Sequence, residues 1–171
     1  GLFSATAAGM ERQAQVEVDV TGERTVVSEL TGKTAPDILL LNDDDLTFAK
    51  IRLAPRSAAA AVSYVGTLTD PLARTLLWGA AWDMTRDAEM STGDLVSMVL
   101  NGLPGETEIA VIQTVLRQVH TALDAYATPE HRQTYRTQIA QALWDRAEQA
   151  GGGSDRQLAL VRSFTSMAAS E

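Results

Sequence analysis

The spacing of apolar residues changes at Ala54-Pro55, and this change constrains the fold more than any other feature of the chain. Before it, apolar and polar residues alternate, most clearly in "QVEVDV", which is the pattern of a half-buried β-strand. After it, apolar residues recur every three or four positions, as on one face of a helix. We therefore expect a β segment over residues 1–53 and a helical segment over residues 54–171.

The β segment is expected to contain a hairpin and further strands. "QVEVDV" (15–20) and "RTVVSEL" (24–30) flank Gly22, which adopts a positive φ at low cost, so the two stretches are predicted to pair. "DILLL" (37–41) is apolar without alternation, which predicts a strand covered on both faces. "FAKIRL" (48–53) alternates again. A sheet this small is stable only when its open face packs against something else.

Local start and stop signals divide the chain from Arg56 onward into a run of helices. Capping residues and prolines predict helix starts at Asp70-Pro71, Ser91, Thr107, Thr128-Pro129 and Ser154. Glycines predict helix ends at Gly102 and Gly151–Gly153. Because the links are short, neighbouring helices are expected to be antiparallel, either in a bundle or as stacked helical hairpins of the solenoid kind.

Four apolar stripes predict which helix faces are buried. The first contains Leu72, Leu76, Leu77, Ala80, Ala81 and Met84. The second contains Ile109, Ile112, Leu116, Val119, Leu123 and Tyr126. In the fourth predicted helix, Tyr135, Ile139, Ala142 and Leu143 are expected to face inward. The last stripe contains Leu158, Val161, Phe164 and Met167.

Both ends of the chain are expected to continue a larger protein. "GLF" at Gly1 has the character of a strand interior, and the apolar face around Phe164 and Met167 requires a covering helix. We do not expect the helical array to end naturally at Glu171. Without a covering helix, this apolar face is expected either to fray or to be covered by a dimer.

Composition excludes several classes of function. The chain carries 22 acidic and 14 basic residues, a net charge of −8, and no basic stripe, so neither nucleic acid nor an anionic membrane is expected as a partner. It has no cysteine, which excludes disulfides and thiolate-bound zinc and fits a reducing compartment. No apolar run approaches the roughly 20 residues of a membrane span, and no signal peptide is visible. A cytoplasmic location is therefore predicted.

The three consecutive aspartates Asp43, Asp44 and Asp45 raise the question of a metal site. Calcium loops place their ligands at alternate positions, with a glycine at the sharp turn and a bidentate glutamate at the end. "NDDDLTF" has none of these features. Asn and Asp tolerate left-handed backbone conformations, so the stretch is predicted to turn the chain between two strands rather than to bind calcium.

Neither histidine is predicted to act as a metal ligand or a catalytic base. His120 and His131 are 11 positions apart on different predicted helices, whereas a metallopeptidase needs two histidines four apart on one helical face. The glycines in "AQAGGGSDRQ" follow a helix and lack the Gly-Lys-Ser/Thr ending of a phosphate loop. They are predicted to end a helix and form a flexible link.

Trp78 and Trp82 lie four residues apart and are followed by charged residues. An aromatic pair of this kind could line a peptide groove. The favoured interpretation is an amphipathic helix that packs its tryptophans at a seam between domains.

Two longer blocks resemble bacterial aminopeptidase N, a family of zinc-dependent gluzincin aminopeptidases. They are "LNDDDLTFAKIRL" at Leu41–Leu53 and "DPLARTLLWGAAWDMTRDAEM" at Asp70–Met90. "NGLPGETEIAVIQTVLRQV" at Asn101–Val119 looks like the same domain continuing. The resemblance covers nearly the whole chain and is weakest over residues 1–14. It implies a β-sandwich segment over residues 1–53 and the first part of a helical C-terminal domain over residues 54–171.

The motifs on which catalysis in this family rests do not occur here. The family uses His-Glu-x-x-His with a downstream Glu to hold zinc, a Tyr, and a Gly-x-Met-Glu-Asn loop that holds the substrate amine. Gly9-Met10-Glu11-Arg12 resembles that loop only superficially, because its glycine is one place too close and Arg12 replaces the Asn. The stretch is also expected to lie in a linker between strands. No residue of this chain is assigned a catalytic, cofactor-binding or metal-binding role.

The resemblance implies a non-catalytic segment of a zinc aminopeptidase that helps to close and shape the substrate chamber. Zinc would be bound elsewhere in the parent enzyme, and the partners would be the catalytic domain of the same chain and peptide substrates. The alternative from another class is a stand-alone helical scaffold that binds a partner protein. A third hypothesis is a calcium-binding sandwich centred on Asp43–Asp45.

Overall fold

The computed structural model describes residues 1–168, in which a small antiparallel sheet precedes six α-helices. The predicted end of the helical segment at Glu171 lies outside the described residues. The strands are β1 (Leu2–Thr6), β2 (Gly9–Ala14) and β3 (Ile38–Leu39). The helices are α1 (Pro55–Tyr64), α2 (Pro71–Arg86), α3 (Thr92–Gly102), α4 (Ile109–Ala125), α5 (Pro129–Gln149) and α6 (Asp155–Ala168).

The sheet has the strand order β2-β1-β3 and packs one face onto the helices. Phe3 pairs with Arg12 on one side and with Ile38 on the other, and Phe3, Met10 and Ile38 are almost completely buried. The amide of Leu39 donates to the Ser57 hydroxyl of α1 at 3.0 Å. This support replaces the second sheet that an isolated three-stranded sheet would need.

The predicted hairpin over residues 15–30 is wrong. Residues 15–27 contain neither strand nor helix, and Ser28–Leu30 forms a short 3-10 turn. The turn itself is present, with Gly22 at φ 65°. The Thr25 hydroxyl accepts from the Thr21 amide at 2.9 Å and donates to the Thr21 carbonyl at 3.1 Å. These local bonds occupy the Thr21 backbone groups, and within residues 1–168 no strand pairs with either arm of the predicted hairpin.

The stretch expected to be a linker is instead the start of β2, so that expectation is also wrong. Gly9 adopts φ 126°, which an L side chain rarely tolerates, and this lets β1 and β2 join through a tight turn. β3 is shorter than predicted and is covered on one face only. Ile38 and Leu40 are buried, whereas Leu39 and Leu41 are 36% and 55% exposed.

Residues 48–53 do not form the predicted strand either, although the alternation survives in part. Ile51 and Leu53 are buried, while Lys50 is exposed and bonds to Asp87 at the end of α2 at 2.5 Å. Phe48 is completely exposed. The stretch is an irregular connection that is held to the end of α2 by ion pairs of Lys50 and Arg52 with Asp87.

Most predicted helix starts are confirmed, because a cap depends on local sequence. Asp70 accepts from the amides of Leu72 and Ala73, and Pro71 occupies the first helical position. The Ser91 hydroxyl accepts from the Asp94 amide at 3.0 Å, and the Ser154 hydroxyl accepts from the Gln157 amide at 3.1 Å.

Two starts differ in detail from the prediction. α4 begins at Ile109 rather than directly after Thr107, and the Glu106 carboxylate bonds to the amides that precede the helix. α5 begins after Thr128 as expected, but the Thr128 hydroxyl contacts His131 Nδ1 at 2.9 Å instead of a backbone amide.

The helices contact their next-but-one neighbours as well as adjacent ones. α1 packs on α3, α2 on α4, α3 on α5, and α4 on α6, while α5 and α6 form the most extensive helix pair. Within the described residues, no helix combines the length and apolar character that crossing a membrane requires.

The buried faces agree with the stripes at their centres and differ at their ends. Leu77, Ile112, Leu116, Val119, Leu123, Ile139, Leu143 and Met167 are buried as predicted. Leu72, Tyr126 and Leu158 are 40%, 45% and 48% exposed, so their predicted burial is wrong. In α6 the buried positions are Ala159, Leu160 and Met167, because this helix packs against both α5 and α4 rather than against one neighbour.

The neighbouring leucines of α6 provide a direct test of this packing. We expect Leu160→Ala to lower the free energy of unfolding by about 2 to 5 kcal/mol, because Leu160 has no exposed surface and truncation leaves a cavity. Leu158→Ala is the matched control and should change it by no more than about 0.5 kcal/mol. Urea unfolding followed by circular dichroism measures both, and equal losses would contradict the packing of α6.

Candidate functional site

The acidic stretch turns the chain, as the sequence predicts. Asn42, Asp44 and Asp45 adopt φ values of 56°, 67° and 54°, in the left-handed region that Asn and Asp tolerate better than other residues with a side chain. The Asn42 side chain closes the loop by donating to the Thr47 carbonyl at 2.7 Å and accepting from its amide at 2.9 Å.

Arg12 of β2 forms ion pairs with two of the three carboxylates of this turn. Its Nη2 lies 3.0 Å from Asp43, 3.2 Å from Asp44 and 2.8 Å from Asp70, the cap of α2. A hydrogen bond from the Gln15 side chain, together with Arg12, holds the pKa of Asp44 below its ordinary value. The site is therefore an arginine clamp that joins β2, the turn and α2. In the sequence Arg12 stands out only as a mismatch to a substrate loop, and nothing in its neighbourhood predicts this role.

The histidines are not brought together into a site. His120 on α4 lies 3.4 Å from Asp124, whereas His131 on α5 contacts Thr128 and stacks on Tyr135 with ring centres 5.7 Å apart. Across residues 1–168, no group of three or more His, Cys, Asp or Glu side chains is arranged to hold a metal ion.

The two tryptophans have different environments. Trp78 is 4% exposed and packs against the backbone of Gly102, where an added Cβ would lie 2.6 Å from the indole ring. Trp82 is half-buried, 6.3 Å from the Tyr126 ring, with the Arg86 guanidinium 5.8 Å above it. Trp78 thus belongs to the core, and only Trp82 presents an aromatic surface beside charges.

A buried ion pair between Arg74 and Glu106 is the most highly connected polar group in the described part of the chain. The side chains are only 5% and 1% exposed, and Arg74 Nη2 lies 3.2 Å from Glu106 Oε1. Trp78 Nε1 donates to Glu106 Oε2 at 3.2 Å. The amides of Thr107 and Glu108 donate to Oε1 at 2.9 and 3.1 Å.

These contacts determine the charge state of Glu106. Burial raises its pKa, but hydrogen bonds from the Arg74 guanidinium and the Glu108 amide outweigh burial, so the pKa lies below its ordinary value of 4.5. The carboxylate is therefore ionised and fully hydrogen-bonded. It has no accessible surface at which to act on a substrate, and its chemistry is structural.

This pair is not predictable from the sequence, because the periodicity of apolar residues assigns charged residues to the exposed face. Arg74 follows Leu72 and Ala73 in an ordinary helix start, and Glu106 lies in a Pro-Gly loop. Nothing in their spacing of 32 positions indicates contact. The sequence offers a weak signal, since Glu106 follows Pro104-Gly105 just ahead of a strong apolar helix, a position that favours a negative charge.

Two open grooves flank α6. The groove between α5 and α6 has a volume of about 550 Å³ and is lined by Trp144, Phe164, Met167 and the buried Arg136, among others. The groove between α4 and α6 has a volume of about 430 Å³ and carries Arg117, His120 and Arg162.

Comparisons with known proteins extend these observations. The sequence profile of the family described as ERAP1-like C-terminal domain matches residues 38–171. The chain is also 44% identical over 169 residues to a protein named Aminopeptidase N from Streptomyces lividans. The match covers 98% of this chain and 20% of that relative, so the chain spans about one fifth of the relative's length.

Removing the arginine clamp should destabilise the fold. We expect Arg12→Met to lower the free energy of unfolding by about 1.5 to 3 kcal/mol, because the Asp43 side chain is only 3% exposed and loses its hydrogen bond from the guanidinium. Arg24→Met, at an exposed arginine without an ion pair in the described residues, is the control.

Calcium should leave the melting temperature of the unaltered protein unchanged, and an increase would indicate a metal site at the turn.

The buried ion pair should make stability depend on pH in a defined direction. The pKa of Glu106 is lowered by folding, so its contribution is present above the unfolded value of 4.5 and is lost as the pH falls through the folded pKa. At pH 7 we expect Glu106→Gln to cost about 3 to 5 kcal/mol, because Arg74 is left as an unpaired buried charge. The difference in free energy of unfolding between Glu106→Gln and the unaltered protein should become smaller below pH 4.5.

Urea unfolding at pH 7, 5, 4 and 3 measures this dependence. Glu148→Gln is the control, because Glu148 is an exposed glutamate near the end of α5. A constant difference between Glu106→Gln and the unaltered protein across this range would contradict an ionised, buried Glu106.

Proposed function

Because the chain belongs to the family of ERAP1-like C-terminal domains, we propose that it is a non-catalytic C-terminal segment of a longer aminopeptidase. The parent enzyme is then a hydrolase that removes N-terminal residues from peptides. The observation that carries the proposal is the 44% identity to Aminopeptidase N of Streptomyces lividans, which extends over 98% of this chain. Identity of this extent across both the sheet and the helices supports the same role for the segment in both proteins.

Zinc and the activation of water belong, in this proposal, to a portion of the polypeptide outside this chain. The family resemblance implies a His-Glu-x-x-His motif, and these 171 residues do not contain it. The two histidines lie on separate helices and neither has the neighbours of a zinc ligand. The residues present do not fit a zinc site, so no step of peptide hydrolysis is assigned to them.

The role proposed for the segment itself is to close and shape the substrate chamber of the parent. Contacts between next-but-one helices support a stiff wall of stacked hairpins, of the solenoid kind. The buried ion pair joins α2 to the link between α3 and α4, which supports the same stiffness. In the parent, this wall contacts the catalytic domain and limits which peptides enter.

We further propose that residues 1–53 are part of a β-sandwich domain and residues 54–171 the beginning of the helical domain. Support comes from the position of α1, which begins at Pro55, and from the one-sided burial of the sheet. A dimer through exposed helix faces and a cytoplasmic location remain predictions.

A chimeric enzyme tests the proposed function. Residues 1–171 replace the matched segment of the Streptomyces lividans enzyme, and hydrolysis of aminoacyl anilides is measured. We expect kcat/KM within about tenfold of the unaltered relative, because the catalytic machinery lies elsewhere and the wall is retained. The control is a chimera that carries an unrelated helical domain of equal length.

The isolated 171-residue chain should release no amino acid from the same substrates. Chelator-sensitive turnover by the isolated chain would overturn the assignment of a non-catalytic segment. A chimera no more active than the control with the unrelated domain would overturn its place in an aminopeptidase.

A further inference from the structure

Exposed large apolar side chains are concentrated in the first third of the described chain. Seven of the twelve such residues in positions 1–168 fall between Val18 and Phe48. They are Val18, Val20, Val26, Leu39, Leu41, Leu46 and Phe48. The other five are Tyr64, Leu72, Tyr126, Trp144 and Leu158, spread over five different helices or their ends. Concentrated exposure of this kind marks an interaction surface, whereas scattered apolar residues do not.

The first part of this surface is the acidic loop, residues 41–48. The bonds between Asn42 and Thr47 close the loop, so Leu41 and Phe48 flank its neck. Leu41 is 55% exposed, Leu46 is 71% exposed and Phe48 is completely exposed. The loop backbone is held by these bonds and by Arg12, so it presents the apolar side chains from a fixed base.

The second part is the valine segment, residues 15–27. Gln15 Nε2 donates to Asp44 at 2.6 Å, which fixes the start of the segment beside the acidic loop. Val20 and Val26 are 82% and 74% exposed on either side of the turn that Thr25 closes. Residues 15–20 alternate as a strand does, yet they have no strand partner in the described part of the chain.

This surface also carries most of the net charge. Residues 15–48 contain eight acidic and two basic residues, against a net charge of −8 for the whole chain. Glu17, Asp19 and Glu23 are exposed, and none has an ion-pair partner among residues 1–168. Carboxylates interspersed with exposed valines favour a partner that is apolar and positively charged.

The negative charge of this surface distinguishes among the partners that could cover it. A second copy would bring the same acidic surface against itself, and like charges across an interface are unfavourable. An anionic membrane and nucleic acid are disfavoured for the same reason. A partner within the same polypeptide fits instead, because the relative is about five times as long as the matched segment.

We propose that the acidic loop and the valine segment dock onto an apolar surface rimmed by Lys and Arg on the remaining portion of the parent polypeptide. This inference rests on the proposed function and identifies the face through which the segment is attached. Residues 15–20 of the valine segment, which have no strand partner in the described part of the chain, pair with strands of that portion, and the exposed Phe48 and Leu46 enter its apolar centre. The outward helix faces, with their scattered apolar residues, are not part of this contact.

The chimeric enzyme provides the test, with the apolar contact as the first arm. Leu46→Asp combined with Phe48→Asp should leave the melting temperature of the isolated 171-residue chain within about 2 °C, because both side chains are exposed there. In the chimera the same pair should accelerate thermal inactivation at least tenfold, since the docked face is disrupted. Leu158→Asp, at an exposed leucine of α6, is the matched control and should leave the inactivation rate unchanged.

The second arm tests the charge of the partner. Lysine substitutions at Glu17, Asp19 and Glu23 should accelerate inactivation of the chimera in the same way. The control is lysine at three exposed acidic residues of α5, which are Glu130, Asp145 and Glu148. Raising the salt concentration should accelerate thermal inactivation of the unaltered chimera, because salt screens the exposed charges across the contact. Its inactivation rate should then approach that of the Leu46→Asp, Phe48→Asp variant.

The outcomes separate the two proposals. An unaltered chimera without activity would overturn the proposed function. An active chimera in which the loop, valine-segment and control variants inactivate at the same rate would overturn this docking surface and leave the proposed function in place. Faster inactivation of the Leu46→Asp, Phe48→Asp variant, with the lysine variants unchanged, would show that the partner surface is not basic. That result would overturn the proposal as stated.

Discussion

The helical part of the molecule depends on one buried ion pair, between Arg74 and Glu106. Two charges with almost no exposed surface are tolerable only when every donor and acceptor is satisfied. Arg74 also donates to the Leu68 carbonyl at 2.6 Å, and Glu106 receives bonds from Trp78 and from two amides ahead of α4. The pair therefore specifies the position of the link between α3 and α4 relative to α2. Arg156 extends the network to α6 by donating to the Glu106 carbonyl at 2.5 Å.

The sheet is attached to this framework by polar contacts at its edges. The Met10 amide donates to the Thr67 hydroxyl at 3.1 Å, and Arg12 reaches Asp70 at the start of α2. A single apolar core runs from Phe3 in the sheet to Met167 in α6. These features are consistent with the stiff wall proposed above, because the buried pair of Arg74 and Glu106 holds helical elements together and is not exposed to a substrate.

Features that depend on a few adjacent residues could be predicted, and features that depend on distant contacts could not. The caps at Asp70 and Ser91 were predictable because the capping side chain bonds to an amide two or three residues away. The acidic turn was predictable because Asn42 and its neighbours tolerate left-handed backbone conformations. The hairpin over residues 15–30 failed because alternation shows that a segment can be a strand, while pairing needs a neighbour at the right place.

The amino-acid sequence by itself determined the division at Pro55 between a β part and a helical part, the helix ends, and the lack of catalytic motifs, since each is encoded in residue types at short spacing. Only the tertiary structure decided that Leu160 rather than Leu158 faces the core, that Arg12 joins the acidic turn to α2, and that Arg74 meets Glu106. The physical reason is common to all three. Burial and ion pairing between distant residues follow from how elements pack, and the spacing of residues along one element does not contain that information.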